Sequence, residues 1–256
     1  MYGLCAECNI EAGQFDDAYG EFAEALRPNW VKSWQIDVPP LMSTPSVTFD
    51  PGAVARSILL GMCATGPHIR HHWPDLPTRL LSGSPVTMPP QLRLFLALTR
   101  GMTARVAGPI YGLPVAGPMR RDGSGRPVGI NAVASVYFPP LAWELIIPPG
   151  ETMRTDDRWA DVTSWTEIKP GHMRVVSELV PALPAVAHPW HHPTRNEHWA
   201  ELLSTEICPI VECDNVNGGP PDPRAPSTLK KRAHATVDEF NEMGRKHGLM
   251  PPLRNR

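Results

Sequence analysis

Thirty-one of the 256 residues are proline, and many fall in pairs: Pro39-Pro40, Pro89-Pro90, Pro139-Pro140, Pro148-Pro149 and Pro251-Pro252. Each proline fixes φ and removes a backbone donor, so a helix or strand is interrupted wherever one falls in its interior. The content is about twice the ordinary share of roughly 5% and requires short, sharply bounded elements. With 42% apolar residues, the chain can still bury a sizeable core, in one large domain or two small ones.

Charge excludes little but leaves no global bias. Charged residues make up 20% of the chain and the formal net charge is -2, so any basic surface for nucleic acid must be local. No stretch approaches the ~18 uninterrupted apolar residues of a membrane span. The N-terminal Met1 to Asn9 has neither the basic flank nor the apolar core of a signal peptide. No membrane partner is expected, and the expected compartment is the cytoplasm. An odd count of five cysteines without an export signal favours thiols or metal ligands over a disulfide framework.

Periodicity divides the chain into a helical half and a strand-rich half, an α+β pattern. Phe15, Tyr19, Phe22 and Leu26 recur at helical spacing, with Asp16 and Asp17 suited to a first turn and Pro28 as a stop. Asp50-Pro51 is a cap followed by proline at the first helical position, and Val54, Ile58 and Met62 share one face of the helix it opens. Gly66-Pro67 ends that helix. Pro89-Pro90 is expected to open a third, with Leu92, Phe95, Leu96, Thr99 and Met102 inward and Arg93, Arg100 and Arg105 outward.

From Pro109 to about Pro181 the runs turn β-branched and aromatic, and strands are expected over 128–138, 141–147, 162–168 and 172–180. Arg120 to Arg126 reads as an exposed hairpin tip, because Asp122-Gly123 and Ser124-Gly125 supply positive φ angles. Thr194 to Glu197 matches a capping box and predicts a helix through His198, Trp199, Leu202 and Leu203. Residues 214–227 read as a linker with almost nothing apolar, and a basic helical tail over 228–256 follows it. The expected organisation is thus 1–27, a main α+β domain over 28–213, the linker, and the tail.

Few residues carry recognisable chemistry. Cys5 and Cys8 form a C-x2-C pair, the spacing at which two thiolates of one tight turn reach the same tetrahedral zinc, about 2.3 Å from each sulfur. Two core cysteines are the alternative. Cys208 and Cys213, spaced C-x4-C, could complete a structural zinc site or be ordinary buried thiols, and Cys63 falls on the apolar side of its helix. His68, His71 and His72, and His188, His191 and His192, could offer imidazoles to a transition metal, though both stretches read as proline-flanked loops with surface histidines. Asp75, Glu197 and Glu201 are the carboxylates for acid/base work if those clusters meet. Lys230, Lys231 and Arg232 in the tail could touch phosphates or form a solvated face. Phosphate-binding glycine loops and nucleophile elbows are absent. Trp143, Trp159 and Trp165 are expected as core or edge anchors.

The run Leu4-Cys5-Ala6-Glu7-Cys8-Asn9, with Gly13 and then a helix near Asp16, resembles the trailing half of a zinc-bearing HNH endonuclease module. In that family a C-x2-C-N knuckle leads into the helix of a ββα-metal fold, which assigns Asn9 the bracing of the turn. The resemblance covers about the first 27 residues. It implies a structural zinc and an association with nucleic acid. The leading half, with a second cysteine pair and the histidine that acts as general base, has no counterpart here. That points to a chain beginning in the middle of a longer ancestral reading frame, or to a gene start placed late, and no catalysis is expected of residues 1–256. Two other readings stand beside it: a metal-dependent hydrolase built on the histidine clusters, and a non-enzymatic accessory protein whose proline-rich surface binds another protein.

Overall fold

A computed structural model describes residues 6–31, 40–90, 92–100, 104–114, 132–146, 158–186, 199–202 and 210–213. The fold is α+β, with helices first and a mixed sheet after them. Helix α1 spans Ala6–Gly13 and α2 Asp16–Leu26, followed by a 3-10 turn at Arg27–Asn29. Helix α3, Pro51–Thr65, begins as its sequence dictates: the Asp50 side chain accepts from the Ala53 N–H at 2.9 Å, and Pro51 occupies the first helical position. Short helices α4 (Pro67–His72) and α5 (Leu76–Leu81) follow.

The strands are β1 (Leu41–Ser43), β2 (Thr48–Phe49), β3 (Arg93–Thr99), β4 (Ala104–Pro114), β5 (Ala132–Phe138) and β6 (Leu141–Ile146). After them come β7 (Ala160–Asp161), a 3-10 turn at Thr163–Glu167, β8 (Arg174–Val175), helix α6 (Val176–Leu179), β9 (Ala182–Val186), β10 (Trp199–Leu202) and β11 (Ile210–Cys213). The main sheet runs β1-β9-β3-β6-β5-β4-β10, with β11 also paired to β4 and β7 to β3. Strands β4, β5 and β6 form a meander, and β6 then lies antiparallel to β3, so the β3 to β4 connection skips two places in the sheet. Strand β9 joins β3 in parallel and β1 in antiparallel. Between Ala107 and Ile110 the β4–β5 register shifts, where Gly108-Pro109 interrupts the ladder because proline cannot donate.

The core lies between the helices and one face of this sheet. Leu94, Leu96 and Leu98 of β3 stand opposite Leu145, Trp143 and Leu141 of β6, and all six are buried in the same cluster as Val54, Leu59 and Met62 of α3. Helix α2 is tied into it by aromatic contacts. The Phe22 ring stacks on Phe49 with centroids 4.7 Å apart and meets Trp165 edge-on at 5.8 Å, and Trp165 in turn meets Trp143 at 6.3 Å. The first two helices and the sheet therefore share one core.

Helices α2 and α3 and strands β5 and β6 fall where periodicity puts them, and Trp143, Trp159 and Trp165 are buried as expected. Four expectations are corrected. The helix expected from Pro89-Pro90 is strand β3, buried at every position from Leu94 to Thr99, and Arg100 beyond it is buried instead of pointing outward. Residues 162–168 form the Thr163–Glu167 3-10 turn, not a strand, held by the Asp161 side chain, which accepts from the Thr163 N–H and hydroxyl. Residues 172–180 divide into β8 and α6. Trp199–Leu202, expected as helix, pairs with Tyr111–Pro114 of β4 as a strand, so the pairing partner overrides the capping signal upstream. The hairpin tip at 120–126, the linker at 214–227 and the tail at 228–256 lie outside the described residues.

Candidate functional site

The metal candidates are distributed over several elements. Cys8 is half-buried in α1, a helix packed against α2, α3 and α5. Asn9 is likewise helical, so the turn it was expected to brace is a helical one. Cys213 ends β11, opposite Ala104 of β4. Cys5 and Cys208 lie outside the described residues. Cys63 is a core residue of α3, and burial pushes its thiol up to about 12, which leaves it a neutral packing group. Among the described residues no group of three or more His, Cys, Asp or Glu is placed to hold a metal ion. Those residues by themselves therefore do not make a zinc site.

His68 and His71, expected in a loop, belong to α4. His72 is exposed beside the Trp73 ring. His188, His191, Glu197, Lys230, Lys231 and Arg232 are outside the described residues. Asp75 is exposed and lies 3.8 Å from Arg79, one turn further along, a pair worth little in water. Glu201 of β10 faces Gly112 of β4. Among the described residues, no histidines and carboxylates gather at one point to hold a metal ion.

A polar cluster that periodicity did not reveal occupies the other face of the sheet. Glu144 of β6 is fully buried, stands opposite Ser135 of β5 and Phe95 of β3, and accepts a hydrogen bond from the Tyr137 hydroxyl at 2.7 Å. The Ser135 hydroxyl is buried with no hydrogen-bond partner. The next register line runs Ala142, Tyr137, Arg105 and Glu212 across β6, β5, β4 and β11. A buried carboxylate is tolerated only where donors reach it, and Tyr137 is one. The available signal was the single charge in the run Leu141-Ala142-Trp143-Glu144-Leu145-Ile146. Alternation puts it on the face opposite Trp143.

Two arginines are buried for structural reasons. Arg100 donates from Nε to the Ala185 carbonyl at 2.7 Å, and burial lowers its pKa. Arg56 reaches the Gly52, Ile168 and Thr166 carbonyls at 2.8, 3.1 and 3.2 Å and also that of Ser84. Burial lowers its pKa, opposed by Asp50.

No helix among the described residues is long and apolar enough to cross a membrane. No family model matches the chain, and no curated protein or solved structure matches it either.

Proposed function

We propose that this protein is a nucleic-acid-associated relative of the HNH-type nucleases, holding a structural zinc through Cys5 and Cys8 and meeting phosphates with Lys230, Lys231 and Arg232. The observation that supports the reading is the C-x2-C pair of Cys5 and Cys8, whose second member lies in α1. Cys8 is half-buried there, in a helix packed against α2, α3 and α5. Cysteine binds zinc as the thiolate, and this spacing lets two thiolates reach one ion. Helices α1 and α2 are packed on the main core, which gives such a knuckle a firm base. Cys208 and Cys213 are the candidates for the remaining two thiolates. A zinc bound by four thiolates has no open position, and its contribution is to folding, not to chemistry.

Elemental analysis of protein prepared without chelator is expected to find up to about one equivalent of zinc per chain, released in the Cys5→Ser and Cys8→Ser variants. A content below about a tenth of an equivalent removes the knuckle reading. Fluorescence anisotropy with a labelled DNA duplex tests the other half. Binding should weaken steeply with salt and weaken again when Lys230, Lys231 and Arg232 are changed together to alanine. Binding that ignores both changes rules out the phosphate contacts while leaving the zinc question to the metal assay.

A further inference from the structure

We draw no further inference here: the strongest candidate, the buried cluster of Ser135, Tyr137 and Glu144 on the second face of the main sheet, carries nothing because nothing in the structure shows what covers it or how a ligand would reach it.

Discussion

Arg56 joins three stretches of chain that lie far apart in sequence. Its acceptors lie 4, 28, 110 and 112 residues away, so its guanidinium fastens α3 to the turn at Ser84 and to the Thr163–Glu167 segment. Arg56→Met keeps the volume but takes the side-chain donor from all four carbonyls, of which Thr166 keeps the Val86 N–H, and is expected to cost about 2–3 kcal/mol in urea unfolding. Gly52→Ala should cost a similar amount, because its Cβ would stand 2.3 Å from the Ile168 carbonyl oxygen, backbone against backbone. A loss below about 1 kcal/mol in both variants would show that the junction is not held there. The sheet cluster makes the opposite prediction at one of its members. Ser135→Ala removes a buried hydroxyl without a partner and should stabilise by about 0.5–1 kcal/mol. Tyr137→Phe takes a donor from Glu144 and should destabilise by about 1–2 kcal/mol. Equal signs for the two changes would refute this account of the cluster. Neither Arg56 nor Glu144 was readable in advance as a hub, because what distinguishes each is a set of partners brought close only by the tertiary fold.

At the scale of elements, legibility followed the strength of local signals. Asp50-Pro51 announces α3, Phe15 to Leu26 announce α2, and the aromatic runs announce β5 and β6, all of which form. Strand β3 reads as a helix in sequence because Leu92, Phe95, Leu96 and Thr99 fit a helical spacing. A strand buried on both faces is apolar throughout and keeps no alternation to betray it. The cysteine pair was visible, but not its surroundings, since ligand geometry depends on how distant elements converge. Helix α3 also carries a prediction about pH. The folded Cys63 thiol is raised from the ordinary 9.0 to about 12, whereas the unfolded chain ionises at the ordinary value. The stability this provides is complete below pH 9 and is lost as pH rises toward 12. Tyr19, half-buried beside Trp143 and raised by burial from 10.0 to about 12, adds to the loss over the upper part of that range. Melting temperatures should therefore fall across this window, and less steeply in Cys63→Ala once its lower starting stability is subtracted. Parallel curves for the two proteins would assign the alkaline loss elsewhere.

Across the whole molecule, the proposed kinship and the observed scaffold make an expectation about activity. Residues 1–256 should not nick supercoiled plasmid with magnesium or manganese, because a one-metal nuclease needs a base within hydrogen-bond reach of the attacking water. His68 and His71 belong to α4, and among the described residues no group of three or more His, Cys, Asp or Glu could hold a metal ion. Nicking abolished by His68→Ala or His71→Ala would overturn this, while nicking indifferent to both would point to a contaminant. The order of strands has a further consequence, for the nascent chain. Among the described residues, strand β1 near residue 41 finds its sheet partner in β9, Ala182–Val186. At roughly 5–20 residues per second, a ribosome needs on the order of ten seconds to make the intervening chain. The helices and the β3 to β6 strands can collapse during that time. Yet the β1 edge stays open until β9 emerges, and a translation product released before then would expose an unpaired strand to its neighbours.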